Sequence, residues 1–224
     1  MKIPPTVEDL AALYVNDIRE TQPHGPYQLF GFCFGGTVAF EVARRLTEMG
    51  ETVSLVALVQ AVNSAYYRNL PLLESLRYRS SYAFDRFSKY GRRFFRGEWS
   101  EFYGGVRDLI SWQKRKQQSG SSRGEAAPTA PSDSQDIYDN IAMLATIGDA
   151  FEPKPYPGRI HLIRAKTQAA ELENDMTFGW QNIARDGVEV ITLPGDHYTL
   201  LEKPNVTKVA EAVESWLVKV EVKV

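Results

Sequence analysis

Apolar positions along the chain change their spacing several times, and each change marks a new element. Leu10, Leu13, Tyr14 and Ile18 recur at helical spacing behind Thr6, with Asp9 at the third helical position, which predicts a capped helix ending by Gln22. Pro23, Gly25 and Pro26 break the pattern, and Tyr27-Gln28-Leu29-Phe30 reads as a short strand ending at Gly31. From Thr37 the spacing turns helical again through Val38, Phe40, Val42 and Leu46, with Gly50 as a stop. Val53 to Val59 is a nearly unbroken apolar run, the pattern of a strand buried on both faces of a parallel sheet.

The middle of the chain has a different character. Leu70 to Arg96 is rich in aromatics and arginine without strand alternation, which predicts amphipathic helices. Gln117 to Gln135 is Ser, Gly, Pro and Ala without periodicity and predicts a mobile loop; Ile137 to Ala150 is helical in pattern. After Pro153, Pro155 and Pro157 the α/β rhythm resumes: a strand over Arg159 to Ala165, a turn or helix over Gly179 to Arg185, a strand over Val188 to Leu193 and a closing helix over Val206 to Val218. The expected fold is one α/β domain over residues 1–224. Its mostly parallel sheet carries helices on both faces, and a helical insertion over about 65–150 sits at the carboxyl ends of the strands.

Composition narrows the function classes. With 43% hydrophobic residues, 224 residues suffice for one substantial core. Lys and Arg total 26 against 28 for Asp and Glu, so net charge gives no reason to expect nucleic acid or an anionic membrane. No apolar run reaches the ~18 residues of a membrane span. The single cysteine excludes an internal disulfide framework and a cysteine-based metal cluster, and fits a reducing cytoplasm. No cofactor or metal site is expected.

The motif that carries chemistry is Gly31-Phe32-Cys33-Phe34-Gly35, a G-x-S-x-G nucleophile elbow with cysteine in the serine position. An elbow places its nucleophile on a sharp strand-to-helix turn, where glycines on both flanks avoid collisions of Cβ. The helix start is expected to lower the thiol pKa and to offer the Phe34 N–H as an oxyanion donor. Three histidines compete as base. His24 lies in a Pro/Gly turn and His161 inside an apolar strand, whereas His197 follows the last strand, where α/β-hydrolases bring theirs.

Gly25-Pro26-Tyr27-x-Leu29, Gly31 to Gly36, Ala39-Phe40-Glu41, Tyr156-Pro157-Gly158, Gly179-Trp180 and Gly195-Asp196-His197-Tyr198 together resemble the thioesterase domains of polyketide synthases and nonribosomal peptide synthetases. The resemblance implies an α/β-hydrolase-like fold with a helical lid, a catalytic Cys33 in place of serine, and His197 as base. It also implies the substrate: an acyl or peptidyl chain held as a phosphopantetheine thioester on a carrier protein, released by hydrolysis or cyclisation with no cofactor of the enzyme's own. Within the lid, Arg77, Arg79, Arg86 and Lys89 alternate with Tyr78, Tyr82, Phe84 and Phe87, and the resemblance makes an acidic carrier the most useful partner for that basic face.

Two departures from the family pattern matter. The family's aspartate after the elbow helix maps to Gln60, which can orient a histidine but not stabilise imidazolium; Cys-His-Asn enzymes show that a thiol works with an amide in third place. Glu171, Glu173 and Asp175, after the next strand, are the alternatives. The family also has strands ahead of the first helix and a loop that supplies a second oxyanion donor. Without them the sheet is expected to have an exposed edge and the oxyanion hole to be half built. Alternatives to chain release are a catalytically inactive domain that only docks a carrier protein, and an unrelated ester or amide hydrolase using the same elbow.

Overall fold

In the computed structural model, residues 4–70, 143–168, 172 and 175–221 are described. The expected lid helices between 71 and 142, the loop over 117–135, Glu171 and Glu173 lie outside these residues. Helix α1 (Val7–Thr21) starts where the capping pattern predicts: the Thr6 side chain accepts from the Asp9 N–H at 3.0 Å and donates to the Asp9 carboxylate at 2.7 Å. Strand β1 (Tyr27–Phe32), helix α2 (Phe34–Glu48), strand β2 (Val53–Val59) and the short helix α3 (Ser64–Arg68) follow. Strands β3 (Ile160–Ala165) and β4 (Val188–Leu193), a 3-10 turn over Thr199–Leu201 and helix α4 (Asn205–Glu221) follow, and residues 143–150 are also helical.

The four strands form one parallel sheet in the order β1-β2-β3-β4. Leu55, Ala57 and Val59 of β2 face a core with Trp216, Val209 and Ala212 of α4, while Val56 and Leu58 face the opposite core under α1 and α2. That two-sided burial explains the unbroken apolar run, because period-2 alternation disappears when both faces are covered. Trp180 and Trp216 are fully buried, one in each core. The Trp180 Nε1–H donates to the Ala61 carbonyl at 2.9 Å, and the Asn63 side chain donates to the Gly179 carbonyl at 2.9 Å. These bonds hold the segment after β2 against the turn around Phe178, so the carboxyl ends of β2 and β3 are fixed together.

Candidate active site

At the carboxyl end of β1, Cys33 adopts φ 53° and ψ −125° immediately before the first residue of α2. A non-glycine residue in such a region costs on the order of 1–3 kcal/mol and persists only where its surroundings enforce it. They do so here. The Cys33 N–H remains in the sheet ladder, donating to the Val59 carbonyl at 2.8 Å, while its carbonyl already accepts from Gly36 N–H at 3.0 Å. The chain therefore turns from strand to helix within one residue. A Cβ on Gly31 would lie 2.3 Å from the Gly35 carbonyl oxygen, and one on Gly36 would lie 2.5 Å from the Ala61 Cβ. A Cβ on Gly35 would meet nothing within 4 Å. The expectation of glycine at both flanks thus holds for Gly31 but moves from Gly35 to Gly36, because the first turn of α2 aims position 36, not 35, at the segment after β2.

Gln60, one ladder position along from the elbow, follows β2 with φ 51° and is 4% exposed. Its Oε1 accepts from the Ala165 N–H and from Gln168 Nε2, each at 3.0 Å. Both lone pairs of the amide oxygen are engaged, and among the described residues no hydrogen bond joins Gln60 to His197. The structure brings Gln60 to the same end of the sheet as the elbow but uses its acceptor to tie β2 to β3. Replacing it with alanine leaves the Ala165 N–H without that acceptor. Gln60→Ala is therefore expected to destabilise the fold by about 1–3 kcal/mol in denaturant unfolding, and an unchanged midpoint would contradict this account.

His197 lies in the turn after β4. Gly195 at φ 106° makes the turn, and the Asp196 carboxylate accepts from Tyr198 N–H at 3.0 Å and from the N–H and Oγ of Thr199, both at 2.9 Å. Asn205, at the start of α4, donates to the Thr199 carbonyl at 3.1 Å. This brace presents the imidazole to the elbow, with its ring 5.1 Å from that of Phe32, the residue before Cys33. The sequence carried the signal for the brace, an aspartate three residues before a threonine. Gln168, over a hundred residues from Gln60, belongs to no local pattern. The other histidines stay away from this site: His24 is exposed beside Glu51, and His161 packs on Trp216 near Glu189.

The Asp175 carboxylate is engaged elsewhere, and among the described residues no hydrogen bond joins it to His197. The carboxylate accepts from Tyr67 Oη, Gly179 N–H, Thr177 N–H and Thr177 Oγ at 2.7 to 2.9 Å. It caps the turn after β3. Arg164, 4% exposed at the end of β3, holds the same turn by donating to the Asp175 carbonyl at 3.1 Å.

Burial pushes the Cys33 thiol above its ordinary value, and the opposing pull of the Phe34 N–H is smaller. The expected lowering at the helix start is thus outweighed by desolvation of the thiolate. Burial also pushes the His197 imidazole below its ordinary value, and the Asp196 carboxylate offsets this only in part. Both shifts run in the direction that favours the uncharged forms, a thiol at Cys33 and a neutral imidazole at His197.

Residues 1–73 match the thioesterase-domain family. That match covers α1 to α3, including the turn at Cys33. Along the whole chain, malpibaldin synthetase of Mortierella alpina is 28% identical over 96% of these residues, and the non-reducing polyketide synthase crz7 of Cladonia metacorallifera is 25% identical over 93%. The chain spans only 3% and 10% of those two synthases. Among solved structures, the NocB thioesterase domain in covalent complex with a fluorophosphonate nocardicin G analog superposes with a TM-score of 0.61 at 22% identity, over 96% of this chain and 77% of its own. The four-domain nonribosomal peptide synthetase AB3403 gives 0.59 at 24% identity, over 94% of this chain and 16% of its own. These likenesses establish the α/β-hydrolase-like fold, and the curated relatives are polyketide and nonribosomal peptide synthases. No helix among the described residues is long and apolar enough to cross a membrane.

Proposed function

We propose that this chain releases an acyl or peptidyl chain from the phosphopantetheine thioester of a carrier protein through an acyl-Cys33 intermediate. The observation that carries the proposal is Cys33 held at φ 53° on a strand-to-helix turn with His197 in the turn beside it. In this reading Cys33 Sγ attacks the thioester carbonyl, and its proton passes to His197. The carbonyl oxygen takes the place of Sγ on the Phe34 N–H as it becomes an oxyanion. Collapse expels the phosphopantetheine thiolate, which takes the proton back from His197. Water, or a hydroxyl or amine of the chain itself, then gives its proton to His197 as it attacks, and the expelled Cys33 thiolate recovers that proton. Gln60 takes part by fixing the end of β2 beside Cys33, and its free amide nitrogen is a donor, not the acceptor that an aspartate would offer the imidazole.

The test is intact-mass analysis after mixing the protein with an acyl thioester of pantetheine. A mass increase equal to the acyl group is expected, with thioesters preferred over simple esters. An unmodified protein that still binds carrier protein would favour a docking domain, and equal use of simple esters would favour a general esterase. The protonation states add a pH signature. Acylation should hold its rate down through about pH 6.5, the ordinary imidazole value, because His197 stays a free base below it. Alkylation of Cys33 by iodoacetamide should keep rising above about pH 8.5, the ordinary thiol value. A thiol that alkylates at full rate near pH 6 would mean a resting thiolate–imidazolium pair instead.

A further inference from the structure

A catalytic imidazole is ordinarily fixed by a carboxylate that accepts one of its ring N–H groups. Among the described residues no hydrogen bond reaches the ring of His197. Asp196 stands next to it in the chain, but its carboxylate accepts from Tyr198 N–H at 3.0 Å and from the N–H and Oγ of Thr199 at 2.9 Å. The Gln60 oxygen and the Asp175 carboxylate are engaged elsewhere as well. Something other than an acceptor must hold this ring.

Two aromatic rings touch it. The Phe32 centroid lies 5.1 Å away with the planes at 41°, and the Tyr198 centroid lies 5.3 Å away at 77°, close to edge-to-face. Both distances fall in the range over which aromatic pairs attract. Phe32 packs against the core under α4 and immediately precedes Cys33, so it ties the imidazole to the elbow itself. Tyr198 is 81% exposed, the most exposed large apolar side chain among the described residues, so the core does not require it. Its backbone is nevertheless fixed, with φ −87° and ψ −40° and its N–H on Asp196. We propose that Phe32 and Tyr198 are positioning residues that clasp the His197 ring and hold it toward Cys33 by packing, the task that a carboxylate acceptor performs elsewhere. The proposal rests on the reading of His197 as the base for Cys33. Such a clasp fixes the plane of the imidazole and supplies no charge to it. Asp196 is the charged group that acts on the ring, and burial outweighs it.

Proton NMR on the chain tests the clasp, with His197 assigned among the three histidines through His197→Gln. A nuclear Overhauser contact between the His197 and Phe32 rings is expected in the native protein, and Tyr198→Ala is expected to weaken it. Because Tyr198 is exposed, its removal leaves the core intact and a structural loss does not mimic the effect. The His197 titration should also move up toward the ordinary value of about 6.5, since burial holds it down and part of the cover is gone. Acylation at saturating pantetheine thioester should fall roughly tenfold, the scale of one aromatic contact. Tyr198→Phe returns the ring and should recover the rate. A native protein that forms no adduct defeats the catalytic reading, and the Overhauser contact and the titration then decide the clasp by themselves. An Overhauser contact unchanged in Tyr198→Ala overturns the proposal. So does an acylation loss confined to KM, which makes Tyr198 a substrate contact, or one that Tyr198→Phe fails to recover.

Discussion

Cys33→Ala is expected to abolish the acyl adduct and to lower thioester turnover by at least about 10³-fold, the scale on which removing a nucleophile acts, while changing unfolding stability by less than about 1 kcal/mol. The two halves of this expectation come from different facts. The thiol is the only nucleophile on the elbow, so nothing replaces it. It is only partly buried and no side-chain hydrogen bond caps α2 through it, so its removal leaves no cavity and no orphaned partner. Cys33→Ser should acylate far more slowly than the native protein, because a hydroxyl needs a base supported by an acceptor, and the Gln60 oxygen is held by Ala165 and Gln168. An adduct that persists at native rate in Cys33→Ala would remove Cys33 from the mechanism, and intact-mass analysis reads that outcome directly.

The second large effect separates two glycines of the same motif. Gly31→Ala places a Cβ 2.3 Å from the Gly35 oxygen and 2.6 Å from the Gly36 Cα, both backbone atoms that no rotamer change can move. The turn must open, and a destabilisation of about 3 kcal/mol, the upper end of the usual overpacking cost, is expected. Acylation should fall by roughly 10²-fold, the effect of displacing a reacting group by about 1 Å. Gly35→Ala is the control. Its Cβ meets nothing, and alanine gains up to about 1 kcal/mol over glycine inside a helix, so stability should rise slightly. Denaturant unfolding of the two variants should therefore show shifts of opposite sign. Equal losses would mean that both glycines are required by backbone conformation rather than by the contact at Gly31.

The contrast between Gly31 and Gly35 also marks how far local sequence reaches. The pattern of apolar residues located α1, with its Thr6 cap, and the strands β2 and β4 to the residue, because period, caps and breakers are properties of adjacent positions. The elbow was legible for the same reason: glycine spacing around Cys33 and the strand-to-helix switch lie within six residues. So was the placement of His197 after the last strand, apart from His24 and His161. What no window of sequence contains is the partner across the sheet. That Gly36 and not Gly35 meets Ala61, that the Gln60 oxygen is claimed by Ala165 and Gln168, and that Asp175 caps a turn against Tyr67 are contacts between residues tens to more than a hundred positions apart. The thiol pKa has the same origin: the helix start is local and pulls it down, but burial by distant segments is larger and pushes it up. Sequence by itself determined the elements and the candidate residues they carry. Tertiary packing decided the burial of those residues, which shifts their pKa values toward the neutral forms, and their hydrogen-bond partners.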